Sequence, residues 1–512
     1  MIRIHGNAVS AIDKVDPLYL ALIKASSRLR GKDATLWGAQ SEIEARSRLA
    51  WIDFPIESRK LLPTLDALWA KYNAFSEIVL CAMGGSSLAP EVIAASHGKS
   101  ITVLDSTDPD VIDRALKLNL ASTLVIISSK SGTTIETLSQ LALFQEAFES
   151  KHLDPKDHLL VITDPNSPLD RHVKKYQLPT IYADPNVGGR FSALSAYGLA
   201  PSALIGIDIS VLLDQAQDAE RNFEGLHSPA VGVAYLLAKS ADTFISLTDA
   251  QSAMPGLSDW IEQLIAESTG KNGKGVLPVI VESIGAPFSG PGLSISFAGN
   301  SDLVVEGELG AQFIFWEWVT ALLCHALAVN PFDQPDVSLS KEKTNSLLSS
   351  WTNGIPQLKP DFIDGSIEIF GSNSDISTTL TGILSSLNDF EYLCVMAYVD
   401  SKMHSQLGEI RQILAQKCGK PVSFGWGPRS LHSTGQFHKG GPAHGIFLQI
   451  TSDPSRDIQI PGQSFSFHTL IMAQAIGDAE ILIERNQKVV RMHLKDRAQG
   501  ISDILFAGRA LT

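Results

Sequence analysis

Between residues 123 and 148 the chain reads TLVIISSKSGTTIETLSQLALFQEAF. An apolar, β-branched run breaks into a short loop of Ser, Thr, Gly and Lys that opens directly into an amphipathic helix. The run has the length and composition of a buried strand, so the segment predicts a strand–loop–helix unit. Its loop sets Ser129, Lys130, Ser131, Thr133 and Thr134 beside free amides of the helix start, where N–H groups and the macrodipole favour a dianion. Hydroxyls donate or accept as needed, Lys130 supplies a point charge, and Gly132 permits a close turn. Taken alone, the loop is equally well an ordinary hydroxyl cap, since many such loops bind nothing.

From Ser76 onward, short apolar runs alternate with helical segments: EIVLCAM, LAPEVIAASH, SITVLDS, DVIDRALKLN, TLVIIS, HLLVITD and LPTIYAD. This alternation predicts a doubly wound α/β layer of parallel strands, in which ligands bind at strand carboxyl ends. GGSS, Gly84 to Ser87, occupies such an end, as does SSKSGTT. A second α/β unit is expected after the helix near 228–240, with strands DTFISLT, GVLPVIVES and LSISFAG. Beyond Lys341 the runs IEIFGS, EYLCVMAYVD, PVSFGW and GIFLQIT continue the pattern.

Residues 1 to about 62 predict a polar helical arm. At 512 residues there is room for two or three domains, and 44% hydrophobic with 19% charged residues is ordinary globular composition. The net charge of −14 carries no basic block, which argues against nucleic acid and anionic membranes as partners. FIFWEWVTALLCHALAV contains Glu317 and His325 and is short for a bilayer, so a buried core helix is expected. The start MIRIHGNAVSAIDK lacks the apolar segment of a secretory leader. Cys81, Cys324, Cys394 and Cys418 form no CxxC pair, as expected of reduced thiols in a cytoplasmic protein.

CAMGGSSLAP, SSKSGTTIET, VGGRFSALSAYGL, QLIAESTGKNGKG and NPFDQPDVSLSK together resemble the signatures of the glucose-6-phosphate isomerase family. The stretch GPRSLHSTGQFHKGGPAHGIFLQIT is similar to the isomerase half of fused transaldolase/phosphoglucose isomerase proteins. The resemblance covers roughly residues 75 to 495. It implies two SIS-type α/β/α domains behind the arm: 1–65 as arm, 66–225 as the first domain and 226–512 as the second. It also implies interconversion of glucose 6-phosphate and fructose 6-phosphate through a cis-enediol, with no cofactor.

By the same resemblance, Gly85 and Ser86 with Ser129, Lys130, Ser131 and Thr134 bind the phosphate and sugar, a hydroxyl-and-amide nest suited to a phosphate monoester. Arg190 matches the arginine that steadies enediolate charge, stabilisation stronger in the transition state than in the ground state. Glu267 is the expected base. It stands four residues after Gln263, so both share one helical face, and one carboxylate can carry the proton between C2 and C1. An isolated Glu is more commonly a solvated helix carboxylate. Lys341 matches a ring-opening lysine and Gln334 a phosphate ligand, although Asp336 and Ser338 depart from the family's Gly and Glu and put a carboxylate near that lysine.

His438, in GQFHKGG, resembles the family's ring-opening histidine, with His432 the runner-up. In the family this histidine usually precedes the lysine. Here Lys341 comes first, which suggests that 342–512 completes the second sheet in rearranged order. His432, His438 and His444 sit six apart in a Gly/Pro-rich loop, a spacing that does not favour a metal site. The expected partner is a small sugar phosphate, with a homodimer possible. A non-catalytic sugar-phosphate sensor and an isomerase of mannose 6-phosphate are the alternative functions.

Overall fold

The computed structural model describes residues 1–511 except 241–243, 288–291, 353, 390 and 443, so the first two residues of the expected DTFISLT strand lie outside the described residues. Three sheets organise the chain. The N-terminal arm is not a free helical appendage. It opens with strand β1 (Arg3–His5) and continues through a helix at Pro17–Arg30 and several short turns. Tyr19, Leu22, Leu29, Trp37 and Trp51 of this arm are buried in the largest core cluster. The Trp37 indole N–H donates to the Ala321 carbonyl at 3.0 Å. Large aromatic side chains scattered through a polar segment are what bury it, because each removes more apolar area than its polar neighbours need expose.

The first α/β unit is the predicted one. β2 (Glu77–Cys81), β3 (Thr102–Leu104), β4 (Thr123–Ser129), β5 (Leu159–Thr163) and β6 (Thr180–Tyr182) form a parallel sheet in the order β3-β2-β4-β5-β6. β4 and β5 are buried at every position, which is why they read as continuous apolar runs rather than alternating ones. The chain leaves β2 for one edge and returns through β4 to the other, so the strand order reverses between β2 and β4. The GGSS and SSKSGTT loops both emerge at that switch point.

The second sheet holds β7 (Phe244–Thr248), β8 (Leu277–Ile280), β9 (Ser294–Ser296) and β10 (Leu303–Glu306), and β1 pairs antiparallel with β10 to close its edge. The apolar segment around 313–329 lies within a helix, Leu309–Leu327, buried from Leu309 to Cys324. Among the described residues no helix is long and apolar enough to cross a membrane.

Residues beyond Lys341 do not complete this sheet. They build a third one from β11 (Phe362–Asp364), β12 (Ile367–Phe370), β13 (Tyr392–Tyr398), β14 (Val422–Trp426), β15 (Gly445–Ser452) and β16 (Lys488–Leu494), in the order β11-β12-β16-β15-β13-β14. The four strands β13 to β16 are parallel and bury their own core. β14 lies against β8, edge to edge, without forming a ladder. The expectation of one continuous sheet came from a strand pattern that is the same in either case. At that junction Arg411 of the helix Glu409–Cys418 bridges the two units, its guanidinium held by Glu282 and by the Val422 carbonyl.

Candidate active site

A cavity of about 310 Å³ opens where the three units meet. Gly85, Ser86, Ser129, Lys130, Ser131, Thr134, Arg190, Gln263, Glu267, Gln334 and Lys341 all line it. The first unit supplies the hydroxyl floor. Ser86 lies in the first turn of the helix Gly85–Ser96, and Thr134 immediately precedes the helix Ile135–Ser150 without capping it through its side chain. The Ser129 hydroxyl donates to Thr134 Oγ1 at 3.2 Å and accepts the Gly132 amide at 3.2 Å, drawing the loop into a concave nest. Two helix starts therefore aim at one place.

Glycine is obligatory where the loops crowd. A Cβ on Gly85 would stand 2.0 Å from the Gly189 carbonyl oxygen, and one on Gly84, at φ +57°, would stand 2.7 Å from Gln263 Nε2. The GGSS turn is thereby pressed against both the GGRF turn and the helix Leu257–Thr269.

That helix presents Gln263 and Glu267 on one face, as their spacing predicts, and both are buried. Glu267 is no solvated carboxylate. It takes the Gln263 amide at 3.1 Å on one oxygen and faces the Arg190 guanidinium at 3.1 Å on the other. Arg190 is only 3% exposed. Its Nε donates to the Ser268 hydroxyl at 2.8 Å and its Nη1 to Gln334 Oε1 at 3.0 Å, while Nη2 donates to the carbonyls of Pro331 and Asp333. A guanidinium held at every nitrogen cannot swing away when charge develops nearby. Gln334 is engaged with Arg190 rather than with the hydroxyl loop.

Lys130 turns its ammonium to Asp164, which also accepts the Tyr197 hydroxyl at 2.6 Å. Burial pushes the Lys130 ammonium below its ordinary value, against the pull of Asp164. Arg48, from the arm, is a further cation lining the cavity, beside Lys130, Arg190 and Lys341. An isolated antiparallel bridge between the next residue, Leu49, and Val187 pins the backbone there to the segment just before the GGRF turn. No motif announced it. Its signal is only the bridge, which is a tertiary contact. Lys271 is buried and paired with Asp333 at 2.7 Å, and burial followed by the Arg190 charge pushes it down to about 8.

Among the expected residues, His438 is absent from the cavity. It lies 1% exposed between β13 and β15, hydrogen-bonded to the Tyr392 hydroxyl at 2.6 Å and near the Cys394 sulfur. Burial, then the neighbouring Lys439 charge, pushes its imidazole down to about 3. A histidine so placed stays neutral and packs. His432 takes the position at the cavity instead, on the turn Arg429–His432. The two histidines differ because Gly435–Gly440 is a short helix whose buried face seals the third core, whereas the turn before it points outward.

His432 Nε2 meets Glu136 Oε1 at 2.8 Å, and the Gln474 amide donates to the same oxygen at 2.7 Å. Burial pushes the Glu136 carboxyl up, but the His432 imidazole and its hydrogen bond outweigh this and hold the group below its ordinary value. A Glu in the first helical turn ordinarily complements the dipole, so its sequence position gave no hint of this dyad. The turn is fixed on its other side, since Gln263 Nε2 donates to the His432 carbonyl at 2.8 Å. Arg429 contacts Glu91 at 2.8 Å and Asp105 at 3.0 Å in the first unit.

Lys341, on the helix Pro335–Ser350, is exposed at the boundary of this cavity and an adjoining one of about 370 Å³. Asp336 does not reach it. Its carboxylate is tied to Arg485 and, at 2.6 Å, to the Gln436 amide. His444 is exposed, so the three evenly spaced histidines occupy three separate environments. Among the described residues no group of three or more His, Cys, Asp or Glu is arranged to hold a metal ion.

A hydroxyl nest at two helix starts, a buried carboxylate beside a fixed guanidinium, and a carboxylate-bound imidazole facing one cavity can together hold a phosphate ester and move protons on its carbon chain. Residues 66–276 match the family model for phosphoglucose isomerase. A probable glucose-6-phosphate isomerase of Haloarcula marismortui is 35% identical over 237 residues, 44% of this chain and 54% of that protein. The glucose-6-phosphate isomerase of Methanocaldococcus jannaschii is 31% identical over 243 residues, 46% of this chain and 60% of that protein. The chain thus spans little more than half the length of these curated relatives. A solved glucose-6-phosphate isomerase structure from Chlamydia trachomatis superposes with a TM-score of 0.55 at 18% identity, covering 68% of this chain and 88% of that one, which establishes the shared fold.

Proposed function

We propose that this chain, whose residues 66–276 match the family model for phosphoglucose isomerase, interconverts glucose 6-phosphate and fructose 6-phosphate by proton transfer through a cis-enediolate. The observation that carries this reading is Glu267, buried and 3.1 Å from the Arg190 guanidinium in the cavity the hydroxyl nest opens into. The phosphate sits on Ser86, Ser129, Ser131 and Thr134 and the two helix starts, with Arg48 and Lys130 supplying positive potential.

His432, steadied by Glu136, protonates the ring oxygen and opens the sugar, with Lys341 at the sugar end of the cavity. Glu267 then takes the C2 proton and returns it to C1 on the same face. Arg190 stabilises the oxyanion that forms between these steps, and its hydrogen-bonded cage means that little reorganisation accompanies the charge. The site is assembled from a single chain, so a dimer is not needed to supply its histidine. Its substrate belongs to central sugar-phosphate metabolism, which makes the cytoplasm the expected compartment.

The test is conversion of fructose 6-phosphate to glucose 6-phosphate by the purified protein, with EDTA present, in a dehydrogenase-coupled assay. Steady turnover is expected, and Glu267→Gln should lower kcat by about 10³-fold or more with sugar-phosphate affinity nearly unchanged. Turnover that vanishes with EDTA, or equal loss of kcat and affinity in Glu267→Gln, overturns the mechanism. Turnover of mannose 6-phosphate but not fructose 6-phosphate overturns the substrate.

A further inference from the structure

The third unit contains a separate cavity of about 550 Å³, beside the carboxyl ends of β15 and β16. Volumes of this size are typical of small-molecule sites, and the carboxyl ends of parallel strands are where α/β sheets place them. Its floor is the sheet face on which Arg491 and His493 alternate along β16, with Phe370 of β12 opposite Arg491. Ile363, Met472 and Ile476 add apolar wall, and the segment 355–360 lines one side.

Arg491 is the unusual group. It is 8% exposed, its Nε is buried without a hydrogen-bond partner, and among the described residues its guanidinium has no ion pair. The guanidinium stacks on the Phe370 ring at 4.3 Å. Of the other charges lining the cavity, Lys495 pairs with Asp453 at 2.5 Å and His493 Nε2 meets the same carboxylate at 3.1 Å, while Lys359 and Glu368 form no ion pair among the described residues. The Glu368 carboxylate is felt at Arg491, but among the described residues no ion pair joins the two. His468 Nδ1 is a second buried polar atom lining the cavity without a partner. A buried cation left unpaired is costly, so its retention points to an anion that pairs with it.

We propose that this cavity is a second ligand site, which binds a small organic oxyanion, a phosphate ester or a carboxylate, with the anionic group on Arg491 and the apolar body against Phe370, Met472 and Ile476. Arg491 lines the cavity and offers a planar fork that suits either oxyanion. His468 supplies one further polar contact. The site is independent of the isomerase reading and shares no residue with the catalytic cavity.

Two methionines report on the two cavities separately, because Met83 lines the catalytic one and Met472 this one. The full chain labelled at methionine methyls is titrated with phenyl phosphate and with benzoate while both resonances are followed by NMR. A saturable shift of Met472 is expected with at least one probe, phenyl phosphate alone indicating a phosphate ester and benzoate alone a carboxylate. Arg491→Gln should weaken that binding at least tenfold and leave isomerase turnover within twofold. His468→Asn, a milder change should Arg491→Gln fold poorly, should weaken it severalfold. Met472 unmoved by both probes, or titrating identically in the variants, overturns the proposal. Loss of turnover without change at Met472 would bear on the catalytic cavity only.

Discussion

Replacing His432 and His438 by Asn, one at a time, separates proton transfer from packing. His432 lines the catalytic cavity with Nε2 2.8 Å from Glu136. Removing a general acid/base group costs about 10²–10⁴ in rate, or roughly 3–5 kcal/mol of barrier. His432→Asn should show this loss with the cyclic substrate, and a smaller one with an aldose phosphate too short to close a ring. His438 touches only core groups. Its loss breaks the bond to the Tyr392 hydroxyl, at a cost of about 1–3 kcal/mol in stability, and leaves turnover per folded molecule unchanged within about twofold.

The pH dependence of stability gives an independent signature. In the folded state His438 is pushed down to about 3, while in the unfolded chain it titrates near the ordinary 6.5 of a free imidazole. Between these values the unfolded chain binds the proton and the folded one does not, so stability rises with pH through the window and is level above it. From pH 4.5 to pH 7 the difference is about 2.5 kcal/mol, and His438→Asn should remove it. Urea denaturation at the two pH values, alongside coupled kinetics of both variants, provides the readout. Turnover lost in His438→Asn and kept in His432→Asn, with the acid slope undiminished in the former, would refute the assignment.

Two further changes probe the neighbourhood of the site. Gly85→Ala puts a Cβ 2.0 Å from the Gly189 oxygen, so the backbone before Arg190 must move, and kcat should fall about 10²-fold through misplacement even where circular dichroism still shows a folded protein. An unaffected kcat would mean the loops can separate without moving Arg190. Arg48→Ala should raise KM about tenfold and reduce its dependence on salt while kcat changes little, because a half-buried cation at the cavity wall attracts the dianion without entering the chemistry. Steady-state kinetics across ionic strength would expose the opposite pattern.

Everything local was available in the sequence. The strand TLVIISS, the hydroxyl loop after it, the glycine turn at GGSS, and the shared face of Gln263 and Glu267 depend on neighbours within a few residues, where side-chain periodicity and backbone freedom act directly. The pattern also gave the parallel first sheet with its strands, because fully buried strands are apolar throughout. What the tertiary structure decided is pairing at long range. Three sheets or two, β1 closing a sheet nearly 300 residues away in sequence, and Arg48 pinned beside the GGRF turn leave no periodic trace, since any exposed edge of suitable register could have accepted these partners. His432 and His438 show the same limit at close quarters. They lie six residues apart in equally polar surroundings, and only the packing of the helix Gly435–Gly440 onto β13 and β15 sends one into the core and leaves the other at the cavity.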